Sequence, residues 1–143
     1  MNHYVKFVID NVAFAVPIEE VKEIARPKAV QKKEKISKNI YGFFVFRKRM
    51  IVLYDLPEFL KMESKSRFEV VISEVNKRHI GFKVDKVCGV IAAETLSPFP
   101  ELVMAKNYLR GVIKEDERLI QVLSLKRLLS ATRVMNVEKY LSV

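Results

Sequence analysis

The chain has 143 residues, 50% of them hydrophobic and 30% charged. That balance excludes intrinsic disorder, because the apolar surface suffices to offset chain entropy, and it fits one compact domain or two very small ones sharing a core. The net charge of +9 raises affinity for anionic surfaces but does not choose among nucleic acid, lipid headgroups and an acidic protein partner.

No window approaches the ~18 consecutive apolar residues of a membrane span, and MNHYVKFVID is not a secretory signal, so a cytoplasmic chain with no direct membrane insertion is expected. Cys88, the single cysteine, excludes an internal disulfide. With no partner at metal-ligand spacing, it is expected to be a small buried hydrophobe.

In chain order, YVKFVID (4–10) and NVAFAVP (11–17) read as a hairpin closed by Asp10 and Asn11, whose side chains tolerate turn geometry. IEEVKEIA (18–25) places Ile18, Val21 and Ile24 three residues apart, the spacing of one face of a short helix, with Glu19 and Glu20 in its first turn. A basic loop, RPKAVQKKEKISK (26–38), carries six Lys or Arg against one Glu. A second hairpin follows, with strands at 41–46 and 50–55 around the tip Arg47-Lys48-Arg49, and then a helical turn, LPEFLKM. MESKSR (62–67) is a polar break and the expected boundary between halves. FEVVISE (68–74) and HIGFKVD (79–85) form a third hairpin, in which Gly81 marks a bulge or a close backbone approach. KVCGVIAAE (86–94) is apolar, and a fourth hairpin pairs YLRGVIK (108–114) with RLIQVLSL (118–125). KRLLSATRV is expected to be helical, and the tail to dock through Val134, Val137 and Leu141.

The fourth hairpin repeats the second. Displaced by 69 positions, Gly42 falls on Gly111, Arg49 on Arg118, Ile51 on Ile120, Leu56 on Leu125 and Leu60 on Leu129. Apolar residues coincide at six further positions of the same window, so the chain reads as a duplication. Each half then supplies four or five short strands, which hide their apolar face best by curling into a small barrel. The expected division is a first barrel mainly over 4–61, a second mainly over 67–129, and a C-terminal helix and tail over 124–143. The seam between the barrels is where a partner is expected.

Reaction machinery is absent from the sequence. There is no phosphate-binding glycine loop, paired-histidine metal motif or nucleophile elbow. His3 and His79 stand near strand starts, and Cys88 has no base beside it. Asp55 and Asp85, at strand ends, read as caps for local backbone donors. No catalytic residue, metal or cofactor is expected. The basic loop keeps open a small basic barrel that binds nucleic acid, but exposed aromatics do not interleave with its cations. For Arg47, a partner carboxylate and a local carbonyl are equal readings.

FVIDNVAFAVPIEEVKEIARP, IYGFFVFRKRMIVLYDL, IGFKVDKVCGVI, LSPFPELV and YLRGVIKEDERLIQVLSLKRLL, in this order, resemble the CheW-like domain of bacterial chemotaxis from about Tyr4 to Leu129. The resemblance implies an all-β fold with short helices, in which two pseudo-symmetric five-stranded SH3-like barrels share a core. It implies no catalysis and no nucleic-acid partner. Its partners are the regulatory domain of a CheA-type histidine kinase and the cytoplasmic tip of methyl-accepting chemoreceptors, in receptor arrays at the inner membrane. Carried over by position, the partner-binding residues are Ile18, Val21, Glu23, Ile24, Gly42, Arg47, Gly81, Val84, Val87 and Val90. The chain departs from the pattern in Lys48, where the family has glycine, in Val52, where it has proline, and in Lys32, Lys33 and Lys35, where a proline-containing loop is common.

Overall fold

Strands form where β-branched and aromatic residues alternate, and two-residue turns join them. The computed structural model describes residues 1–32, 38–99 and 107–129. The expected contacts of Val134, Val137 and Leu141, together with Lys33 and Lys35, lie outside the described residues. Strands β1 (Asn2–Ile9) and β2 (Val12–Pro17) make the first hairpin, and β4 (Ile40–Phe46) and β5 (Arg49–Tyr54) the second. Strands β6 (Glu69–Val75) and β7 (Arg78–Val84) make the third, and β9 (Leu109–Glu115) and β10 (Arg118–Leu123) the fourth. Three of the turns place both central residues at positive φ: Asp10 and Asn11, Arg47 and Lys48, Asn76 and Lys77. That conformation matches strand twist and is easiest for Gly and Asn, which explains why a family pattern with glycine at Lys48 suits this turn.

The expected helix over 18–25 is not formed. Ile18–Glu20 is a single 3-10 turn, Val21 is extended, and Glu23–Ala25 is strand β3, paired with β6 through Glu23 to Ile72 and Ala25 to Val70. Lys22 N–H also donates to the Ile72 carbonyl at 2.8 Å. An eight-residue helix is marginal on its own, and the open edge of β6 offers hydrogen bonds that a helix cannot outbid. Helices α1 (Leu56–Phe59) and α2 (Leu125–Leu128) are one turn each, so the helix expected over KRLLSATRV is short within the described residues.

Two five-stranded sheets result, in the orders β8-β1-β2-β10-β9 and β3-β6-β7-β5-β4, where β8 is Lys86–Ala93. Read position by position, the two orders are the same arrangement: a hairpin, a strand antiparallel to its first member, and a second hairpin parallel to its other member. The parallel joins are β10 with β2 and β5 with β7. The two copies are equivalent, but they have exchanged hairpins. The first sheet combines β1 and β2 with β8, β9 and β10, and the second combines β6 and β7 with β3, β4 and β5. The expected division into 4–61 and 67–129 is therefore corrected, because each sheet draws strands from both halves. The ladders are also open sheets rather than closed barrels, since β8 and β9, like β3 and β4, end their sheets without pairing to each other.

Exchange leaves three apolar clusters among the described residues. Ala15, Ile113, Ile120 and Val122 pack within the first sheet, and Phe44, Ile51, Leu53 and Val70 within the second. Phe7, Val16, Val52, Phe82, Val84 and Leu123, from both sheets, fill the largest cluster between them.

Duplicated details support this frame. In each copy a crossing segment bridges the hairpin, Gln31 to Phe43 and Ser97 to Val112, with backbone hydrogen bonds of 2.8 to 2.9 Å. In each, the crossing runs over a glycine: a Cβ on Gly42 would stand 2.2 Å from the Gln31 carbonyl oxygen, and one on Gly111 2.8 Å from that of Ser97. Each one-turn helix is capped at the equivalent residue, Asp55 accepting from Glu58 N–H and Ser124 from Arg127 N–H, both at 3.2 Å. Buried Glu20 fixes the second cap, accepting from Ser124 Oγ at 2.7 Å and Leu125 N–H at 2.6 Å.

Because backbone blocks the Cβ at Gly42, Gly42→Ala is expected to destabilise the protein by about 2 to 3 kcal/mol through enforced separation of the crossing. Urea unfolding of the two proteins measures this; an unchanged midpoint would show that the crossing adapts freely.

Candidate protein-interaction surface

The edges of the two sheets meet at a seam over the shared core. Val21 and Ile24, beside and on β3, and Val87 on β8 are half-buried against that one cluster. Glu69 ties the two edges: its Oε1 accepts from Val87 N–H at 2.7 Å, and its other oxygen takes the guanidinium of Arg26. On β8, Val87 pairs with Phe7 and Val90 with Val5, placing both on the side of the first sheet that faces the shared core. Val90 stands beyond the core and is 56% exposed, while Ile18 is 40% exposed.

Glu23 and Arg47 are brought together from opposite edges of the second sheet. Arg47 Nε lies 2.8 Å from Glu23 Oε1, and its guanidinium lies 5.3 Å from the centroid of the Phe46 ring. The sheet curls far enough for its two end strands to be linked by side chains although no ladder joins them. Arg47 thus meets a carboxylate of its own chain while remaining mostly exposed. Gly42, Gly81 and Val84 sit inside instead. Gly81 makes no bulge; a Cβ there would stand 2.8 Å from Val70 Cγ1, and Val84 is wholly buried in the shared core. These three shape the surface from beneath.

Topology also gathers charge that the sequence keeps apart. Because β5 runs parallel to β7, with Val52 opposite Ile80, their turns lie side by side, and Arg49 Nη1 is 2.9 Å from His79 Nδ1. Lys22, Arg47, Lys48, Arg49, Lys77 and Arg78 share this end of the second sheet with Glu23 and Glu74, the latter 3.4 Å from Lys22. The equivalent end of the first sheet is mixed: Asp10, Asp85, Glu115, Asp116 and Glu117 stand there with Lys86, Lys114 and Arg118, and Lys6 lies on Glu115 and Lys65 on Asp85, each at 3.0 Å. Asp85 does not cap the segment that follows it, as expected, but accepts from the N–H of Asp10 at 2.8 Å. At the basic end Phe43 and Phe44 are buried, so they are not the stacking platform that single-stranded nucleic acid requires.

Cys88 is exposed, correcting the expectation of burial. The register of β8 against β1 skips it, with Lys6 opposite Gly89 and Phe7 opposite Val87. Gly89, at φ 105, supplies the positive angle beside this bulge. Among the described residues, no group of three His, Cys, Asp or Glu is placed to hold a metal, and no helix is long and apolar enough to cross a membrane.

Sequence reasoning missed Lys83. It is fully buried on β7, its Nζ 4.8 Å from the centroid of Phe68 and 5.0 Å from that of Tyr41, and it donates to Ser64 Oγ at 2.7 Å. Ser64 in turn donates to the Asp55 carboxylate at 2.9 Å. The signal was a lone lysine in an apolar strand, which reads equally well as an outward-facing residue. Burial pushes its ammonium below the ordinary lysine value of 10.5, and the Asp55 carboxylate partly offsets this. A lysine whose pKa is lower folded than unfolded binds fewer protons folded, so its contribution to stability rises with pH between those two values. The stability of the native protein relative to Lys83→Met is expected to increase as pH is raised toward 10.5. Denaturant melts across that range test this, and a flat difference would place the ammonium in solvent.

With this geometry, the chain belongs to the CheW-like domain family, whose model matches residues 3–133. It is 24% identical over 135 residues to a probable chemotaxis protein CheW of Rhizobium etli, covering 90% of this chain and 87% of that protein. It superposes with a TM-score of 0.79 on the crystal structure of the scaffolding protein TtCheW from Thermoanaerobacter tengcongensis, at 21% identity, covering 92% and 90% of the two chains. That likeness shows the fold, a paired SH3-like architecture.

Proposed function

We propose that this protein is a non-catalytic adaptor that couples the cytoplasmic tips of chemoreceptors to the regulatory domain of a CheA-type histidine kinase. It serves chemotaxis or a related motility pathway, in arrays at the inner membrane. The observation that carries the reading is the seam, where half-buried Val21, Ile24 and Val87 continue into exposed Ile18 and Val90, while the Glu23 and Arg47 pair stands on the other face of the same edge strand. Apolar side chains at a sheet edge with charges close by suit a protein partner, the apolar centre supplying affinity and the charges orientation. Family membership and the names carried by its relatives support the same reading. The excess of cations at the end of the second sheet suits an acidic face on the partner domain.

Arg47 is largely exposed, so its pair with Glu23 contributes at most about 1 kcal/mol to stability. Arg47→Glu and Val90→Lys are each expected to weaken binding to a CheA-type regulatory domain or to a receptor tip by about tenfold or more. Both variants should melt close to the parent. Titration calorimetry with each partner checks this, and two folded variants that bind as the parent does would remove the seam from the interface.

A further inference from the structure

The bridge between Gln31 and Phe43 marks a place where two segments meet and then part. The two residues exchange both backbone hydrogen bonds, at 2.8 and 2.9 Å, so the N–H and C=O of Phe43 point out of β4 on the side away from β5. In an extended strand the next residue facing the same way lies two further on. That residue is Val45, whose register partner among the described residues is Met50 across the hairpin. Segment 27–30 does not follow β4 to this point. The space between is a groove of about 440 Å³, lined by Pro27 and Val30 on one side and by Phe43, Phe44, Val45 and Met50 on the other.

Val45 is 67% exposed and Met50 51%. The hairpin itself does not demand apolar residues there, because in the second copy Lys114 stands at the position of Val45 and closes the same hairpin opposite Leu119. An exposed apolar pair, a strand edge without a partner among the described residues and a concave apolar floor therefore coincide at this hairpin. Cations surround it: Lys28 lines the groove, and Lys48 and Arg49 stand exposed beside Met50.

We propose that this groove docks an extended, acidic segment of a partner protein. The segment adds as a short strand to the edge of β4 at Val45, sets an apolar side chain against Phe43 and Met50, and offers carboxylates to Lys28, Lys48 and Arg49. Main-chain hydrogen bonds give such a site affinity, and the pocket for alternate side chains gives it specificity. A lipid surface fits less well, since a headgroup layer has no strand to pair with the open edge. None of the seam residues lines the groove, so the inference does not depend on the coupling role.

The test is a fluorescein-labelled peptide, Glu-Glu-Val-Glu-Leu-Glu-Glu, titrated into the full chain at about 0.15 M salt, with amide shifts followed by NMR. Saturable binding with shifts centred on Ala29, Val30, Val45 and Met50 is expected. Met50→Glu and Lys28→Glu, both at exposed positions, should each weaken it tenfold or more while leaving the melting curve unchanged, as should N-methylation of the peptide's central amides. No saturable binding, or equal binding of the reordered peptide Glu-Glu-Glu-Val-Leu-Glu-Glu, overturns the proposal. Binding to phosphatidylserine vesicles that Met50→Glu abolishes, with the peptide unbound, overturns it in favour of a lipid surface.

Discussion

The two parallel joins, β2 beside β10 and β7 beside β5, are the contacts on which the rest of the structure depends. Each attaches a hairpin of one repeat to strands of the other. A repeat taken alone would have a hairpin with no sheet to extend and an apolar face with nothing to cover it. With hairpins exchanged, both faces close at once. The ladders that result join distant positions, such as Asn2 with Ala93 and Ala25 with Val70. The central cluster takes side chains from both sheets. Neither sheet can come apart without opening that cluster, which ties the geometry of the seam to the stability of the whole.

Because the copies are equivalent, they separate scaffold from function. What both keep is structural: the glycine under a crossing segment, the bridge beside it and the capped one-turn helix. Where they differ, the frame leaves the choice free. Arg47-Lys48-Arg49 in one outer tip stands where Asp116-Glu117-Arg118 stands in the other, so the two tips differ in charge on a common plan. Val45 against Lys114 is a difference of the same kind. The polar details that steady each helix also differ, Asp55 with Ser64 and Lys83 in one copy and Ser124 with Glu20 in the other. The same backbone requirement is met by unrelated side chains.

The ten residues carried over by resemblance divide by depth. Ile18, Arg47 and Val90 reach solvent, Val21, Glu23, Ile24 and Val87 are half-buried, and Gly42, Gly81 and Val84 lie within. A sequence pattern gives all ten the same weight, since a glycine required for a chain crossing and an arginine that reaches outward both look like fixed points. Burial distinguishes them. The helix expected over 18–25 failed for a related reason: a spacing of three suits one face of a helix, and it equally suits a turn running into a strand.

By itself the sequence determined the strands of the four hairpins, where their tight turns fall, and that the chain is duplicated with a displacement of 69. These are local properties, carried by alternation, turn residues and composition. Only the tertiary structure decided which hairpin joins which sheet, that β3 is a strand, that Cys88 is exposed and Lys83 buried, and that Glu23 reaches Arg47. Each of these depends on backbone hydrogen bonds or packing between positions far apart in the chain. Such pairings leave no periodic trace in either segment alone.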